Sequence, residues 1–273
     1  MTAARRDHPI LPIFVTVFID LLGFGIAIPT LAVVLLRPEA GVLPFAPPFG
    51  IRTIFYGMLV ASYPLAQFFG APILGALSDR HGRKPVLIVP ILANLFGYVI
   101  FALGLIYQRL DLLFIARIVD GFAGGSISIA MSALADISED DRAKTRNFGL
   151  IGLAFGLGFI LGPFIGGKLS DSSLVSWFTY STPFWFAAFL CLVNMILVWW
   201  QFPETLRTRS DTKVSALTGF HNLARAFKLG NLRTMFLVIF MLTLGFNFFT
   251  QFFQVFLIEK FSCTQSNIGN LSA

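Results

Sequence analysis

The chain alternates long apolar runs with short polar breaks that are mostly basic. Residues 53–78, 85–108, 147–167, 172–203 and 234–258 contain no Asp, Glu, Lys or Arg. Two further apolar stretches carry isolated charges: 8–36, interrupted by Asp20, and 112–135, interrupted by Arg117 and Asp120. Each supplies the ~20 apolar residues needed to cross a hydrocarbon core about 30 Å thick. The pattern predicts seven spans, all helical, because a helix satisfies its own backbone in lipid and the strict alternation of a barrel strand is missing. The 172–203 run exceeds one crossing, so the segment DSSLVSWFTY (171–180) is expected to form an external loop.

Composition agrees with this reading. Of the 273 residues, 56% are hydrophobic and only 12% charged, about half the charged fraction of a soluble domain. With 32 Phe the chain could not stay solvated as a disordered segment. Placing the amino terminus in the cytoplasm puts fourteen Lys and Arg in inside loops against five outside, so that orientation is expected. The net charge of +6 is thereby assigned to membrane topology and not to nucleic acid. Arg5 and Arg6 resemble the flank of a signal peptide, but the following stretch is too long and contains Asp20 and Pro29. Cys191 and Cys263 suggest no disulfide.

Residues 1–202 read as a six-span bundle and 203–233 as a basic cytoplasmic linker. Residues 234–273 then supply the first helix of an incomplete second bundle, and the chain reads as truncated. The first and fourth spans carry the membrane-embedded charge, as two three-helix repeats would produce, with a site near the midplane.

The second-to-third loop reads GALSDRHGRKP (75–85). Gly75 would permit close helix packing, Asp79 would cap or counter a helix terminus, and Gly82 would permit a tight turn. Arg80, Arg83 and Lys84 would sit on the cytoplasmic surface. The fourth span contains RIVDGFAGG (117–125). In the fifth, Gly149, Gly158, Gly162, Pro163, Gly166 and Gly167 form a spaced small-residue pattern. Small residues four apart let backbones approach, and Pro163 would bend the helix. A static packing seam and a bent seam that seals a cavity both fit. The run GLGFILG is not a nucleotide loop, since no strand precedes it and the glycine spacing differs.

Together the loop pattern G-x-L-x-D-R-x-G-R-K, the embedded arginine with its glycines, the fifth-span glycines, Asp20-x8-Pro29 and PET (203–205) resemble the major facilitator superfamily, specifically its drug:proton antiporter branch. Asp120 departs from the pattern, since many members have a Gln there. The resemblance implies an all-α membrane protein with a six-helix bundle of two three-helix repeats, plus a seventh helix of an incomplete second half. It further implies a transporter in the bacterial inner membrane, monomeric when full length. Such a transporter would exchange protons for amphipathic drug-like compounds such as tetracyclines. No cofactor or metal is expected, and the partners are the substrate, protons and the lipid bilayer.

Asp20, Arg117 and Asp120 are the candidate proton-coupling residues. A charge at the bilayer centre costs roughly 2.5–3.5 kcal/mol on insertion scales and usually lines a cavity. Burial penalises a charged carboxylate and a neighbouring guanidinium favours it, so a carboxylate beside a moving arginine can couple protons to motion. Arg117 and Asp120 could instead neutralise each other as an i,i+3 ion pair. Tyr63, Gln67, Asn247, Gln251 and Gln254 suit a pocket for amphipathic molecules, although interhelical hydrogen bonds explain most such residues. Asp79 with Arg83 would latch the cytoplasmic side. The alternatives are a nutrient symporter of the same fold and a nonfunctional fragment. A retinal protein is disfavoured because 234–258 lacks a lysine, and an enzyme because no His lies within a span and no nucleophile–base pair is visible.

Overall fold

A computed structural model describes residues 10–37, 42–43, 47–209, 218–228, 230–261, 263 and 265–272. Arg5, Arg6 and Lys213, three of the fourteen cations assigned to inside loops, lie outside these residues. The described chain is helical without strands: α1 (Ile10–Leu36), α2 (Phe49–His81), α3 (Arg83–Ile106), α4 (Leu110–Ala123), α5 (Ser126–Ile137), α6 (Asp141–Leu169), α7 (Thr182–Gln201), α8 (Thr218–Lys228), α9 (Gly230–Phe261) and α10 (Gln265–Ser272). Seven helical stretches are long and apolar enough to cross a membrane, with α4 and α5 together making the fourth. The protein is an all-α integral membrane protein.

α1 is apolar on every side and buried along most of its length, as expected of a helix enclosed by protein. It packs chiefly against α6, with α7 and α2 on its other faces, while α3 contacts α4 and α7. One core gathers Leu22, Ile26 and Leu31 of α1 with Phe101 of α3 and Phe184 of α7, whose rings stack at 4.1 Å. A second gathers Ile13 and Val17 with Leu87, Ile129, Ala154 and Phe202 toward the other end of the bundle.

Two features add detail to the apolar-run segmentation. The fourth span is broken at Gly124 and Gly125, where the backbone makes a turn between α4 and α5. A Cβ on Gly125 would sit 2.8 Å from the Ala71 Cα, so the break lets α2 pass close behind it. The segment expected to be a linker contains α8, whose Phe220 ring packs 4.9 Å from Phe68 of α2.

α6 meets α1 along a seam of small residues. Cβ atoms on Gly158 and Gly162 would lie 2.6 Å from the Leu21 Cβ and 2.7 Å from the Leu22 carbonyl oxygen. On the facing side, one on Gly25 would lie 2.9 Å from the Pro163 ring. Gly166 packs on Ile26, and Gly167 turns to a second partner, with Gly269 of α10 across from it. Gly149, in contrast, faces open space, as do Gly152 and Gly156. The seam therefore uses the later glycines of the motif and not its first. Gly75 is also unforced, since a Cβ there would meet only the Ser128 hydroxyl at 3.5 Å, an ordinary contact.

Candidate functional site

Asp20 sits mid-way along α1, 6% exposed. Its carboxylate accepts a hydrogen bond from the Asn94 amide of α3 at 2.8 Å and a second from the Ser126 hydroxyl of α5. Both donors are neutral. A buried carboxylate must be hydrogen-bonded or paired to be tolerated, and here the hydrogen bonds do that work. Neither Asn94 nor Ser126 was singled out from sequence. The only signal available was polarity inside an apolar run.

Arg117 of α4 is 3% exposed, yet makes no ion pair: among the described residues the ion pairs are Arg83–Asp79, Arg83–Asp136 and Arg109–Asp111. The i,i+3 pair with Asp120 is thus not formed. The guanidinium lies instead over the ring of Tyr63, 4.6 Å from its centroid, and over that of Phe24 at 5.7 Å. Its Nε has no hydrogen-bond partner. Asp120, 5% exposed, points toward Gly97 of α3, where a side chain would overlap the Asp120 carboxylate, and its Oδ1 also lacks a partner. Asp120 lies within coulombic range of both Arg117 and Asp20, so the three form one electrostatic cluster across α1 and α4.

The polar residues expected to form a pocket divide into two groups. Asn247, Gln251 and Gln254 of α9 line a cavity of about 400 Å³ bounded by α1, α6, α9 and the end of α10. Five phenyl rings line it as well, from Phe24, Phe159, Phe246, Phe249 and Phe253, and no lining residue is charged. Gln254 is buried and its Oε1 has no partner, leaving an acceptor without a match inside the protein. Gln251 accepts from the Tyr56 hydroxyl at 3.1 Å. Asn247 donates to the Thr243 carbonyl. Tyr63 and Gln67 are elsewhere: Tyr63 lies under Arg117, and Gln67 donates to the Gly124 carbonyl at 3.1 Å, tying α2 to the break in the fourth span. Phe24 joins the two regions. It lines the cavity, its ring is 5.0 Å from that of Tyr63, and it follows Asp20 by one turn of α1.

The basic loop forms a compact network at one end of the bundle. Asp79 and Arg83 pair at 2.5 Å across Gly82, whose φ of +110° is the left-handed region that favours glycine. Arg83 is buried and reaches further, donating from Nε to Asp136 at 3.0 Å and from an Nη to the Ser78 hydroxyl at 2.7 Å. Glu204, in the PET segment after α7, accepts from the backbone N–H of Arg83 at 2.8 Å and of Lys84 at 3.2 Å. It thereby satisfies two of the orphan donors that open α3. Lys84 donates to the Trp199 carbonyl at the end of α7. Arg80 is exposed. At the opposite end Gln265 of α10 donates to the Thr30 hydroxyl at 2.6 Å and the Ser170 hydroxyl at 2.8 Å.

This arrangement of buried charge, apolar cavity and charged loop can be set beside known proteins. The Major Facilitator Superfamily profile matches residues 13–272. The chain is 34% identical over 198 residues to the tetracycline resistance protein, class B, of Escherichia coli, covering 72% of this chain and 45% of that protein. It is 37% identical over 194 residues to the class C protein of the same organism, covering 71% and 44%. The chain thus spans about half the length of these curated relatives. The crystal structure of the human organic anion transporter MFSD10 shares the fold at a TM-score of 0.72 and 22% identity, over 97% of this chain and 68% of that one. The chain belongs to the major facilitator superfamily of membrane transporters.

Proposed function

We propose that this chain is the proton-coupled half of a drug antiporter that exports amphipathic compounds such as tetracyclines. In this reading residues 1–202 form the first bundle, 203–233 the cytoplasmic linker and 234–273 the start of the second bundle, with the amino terminus in the cytoplasm of a bacterium. Protons entering from outside would protonate Asp20 and displace substrate, and Arg117 and Asp120 would tune the exchange. The network around Asp79 and Arg83 would latch the cytoplasmic side, and the bundles would rock about the site.

One observation carries the reading. A buried carboxylate held by neutral donors, Asp20, lies one turn from an aromatic residue, Phe24, that lines an apolar cavity with three amide side chains. A carboxyl in this position, beside a space suited to a ring system with polar edges, supports the antiport reading. The relatives named for tetracycline resistance support the same substrate class.

A second reading is supported by the unpaired Arg117, which is suited to attract an organic anion, the substrate class of the human structural relative. Inverted membrane vesicles carrying the full-length protein separate these readings. An imposed inward-acidic gradient should drive uptake of tetracycline into such vesicles. Gradient-driven loss of solute instead would establish a symporter, and transport of an anionic dye but not tetracycline would establish the anion carrier.

A further inference from the structure

We infer that Phe24 is a positioning residue that reports occupancy of the cavity to the buried charge cluster, an inference that rests on the antiport reading above. The cavity lining contains no charged side chain, so a substrate inside it has no direct ionic contact with Arg117 or either carboxylate. Its presence must be transmitted by packing. Among the described residues, Phe24 is the lining residue whose ring also lies under the Arg117 guanidinium.

The guanidinium is held in a way that suits a movable charge. Two aromatic faces cradle it, Tyr63 at 4.6 Å and Phe24 at 5.7 Å, with no carboxylate in salt-bridge contact. A cation over a ring face is held by a modest attraction that depends on ring orientation, worth from a few-fold to about thirtyfold in an equilibrium. The Phe24 ring is also wedged on its other sides, 5.0 Å from Tyr63 and 5.8 Å from Phe159, which itself lines the cavity. An aromatic substrate docking on Phe24 and Phe159 retilts the Phe24 ring and withdraws one of the two faces beneath Arg117.

Asp120 is an alternative partner for the released charge, since it lies one turn along α4 within coulombic range and has an unpartnered Oδ1. A cation drawn toward the carboxylates favours their ionised forms. In this scheme a proton taken up at either carboxylate then leaves to water, and the negative charge it leaves is balanced by Arg117. The titratable and charged groups facing this pair are Tyr63 on α2, Tyr98 on α3, Arg117 on α4 and Cys191 on α7. Of these, Arg117 is the permanent cation. By linkage, protonation must weaken substrate binding by the factor with which substrate expels the proton.

The test uses the full-length protein in weakly buffered detergent, with tetracycline as probe. Proton release on tetracycline addition is followed with a pH dye, and affinity by tryptophan quenching. Trifluorinated phenylalanine at position 24 keeps the ring's shape while draining its face of negative charge. We expect it to weaken tetracycline binding and, at saturating tetracycline, to reduce the protons released per bound molecule about tenfold. Phe24→Leu should behave likewise and Phe24→Tyr should retain release. Equal proton release from the fluorinated and native proteins overturns the relay, as does loss of release in Phe24→Tyr matching that in Phe24→Leu, which would mark a packing role. If the unmodified protein neither binds tetracycline nor releases protons, the antiport reading fails at its root and the relay with it.

Discussion

Substituting one glycine at a time along α6 measures how closely the two most intimate helices of the bundle are fitted. At Gly162 an alanine Cβ would stand 2.7 Å from the Leu22 carbonyl oxygen and 2.8 Å from the Gly25 Cα. Both are backbone atoms, so no rotamer change relieves the overlap. Ordinary contact needs about 3.4 Å or more, so α1 and α6 must part by several tenths of an ångström over their shared length. Overpacking of this kind costs about 1–3 kcal/mol. At Gly156, six residues earlier on the same helix, nothing lies within 4 Å. There the added methyl restricts only the unfolded backbone and favours the helix by up to about 1 kcal/mol. The two alanine variants should therefore differ by about 1–4 kcal/mol, with Gly162→Ala below wild type and Gly156→Ala at or above it. Unfolding of the purified full-length protein in detergent, followed by circular dichroism against added denaturing surfactant, gives the comparison directly. Equal stability of the two variants would refute the assignment of the α1–α6 seam.

Further outcomes follow from the loops. Glu204→Gln should destabilise the protein by about 0.5–2 kcal/mol, because the amide cannot accept at both oxygens from the Arg83 and Lys84 N–H groups; thermal unfolding checks this. Gly82→Ala should cost about 1–3 kcal/mol on the same assay, since φ is +110° and the methyl would overlap Glu204. Where Arg109 pairs with Asp111 at the start of α4, both groups are open to solvent, so Arg109→Gln should barely change thermal unfolding.

The sequence carried the spans because burial in lipid leaves a one-dimensional trace: a helix that must cross about 30 Å shows its length as an apolar run. It also marked Asp20, Arg117 and Asp120, since a charge inside such a run is conspicuous on its own. What it could not carry was pairing between distant elements. Asp20 meets Asn94 and Ser126, 74 and 106 positions away, and small polar residues in apolar runs are too common to stand out. The adjacency of Arg117 and Asp120 suggested an ion pair, whereas the guanidinium turned to Tyr63 and Phe24 on other helices. Glycine spacing identified a seam but not its register, so Gly149 looked equivalent to Gly162 although one faces open space and the other a backbone. PET was visible as a motif, but its capping of α3 depends on α7 ending beside α3 in space. Phe24 could have been found as the i+4 neighbour of Asp20, yet among 32 Phe nothing set it apart.

The central claim is that a proton on Asp20 is exchanged for substrate. The most direct measurement is gradient-driven tetracycline transport in inverted vesicles carrying full-length Asp20→Asn beside wild type. Asn keeps the size and neutrality of a protonated carboxyl but cannot release a proton. Transport should fall to the background rate, and tetracycline should bind more weakly than to wild type, as it does to the protonated carboxyl. Transport by Asp20→Asn at the wild-type rate would contradict it.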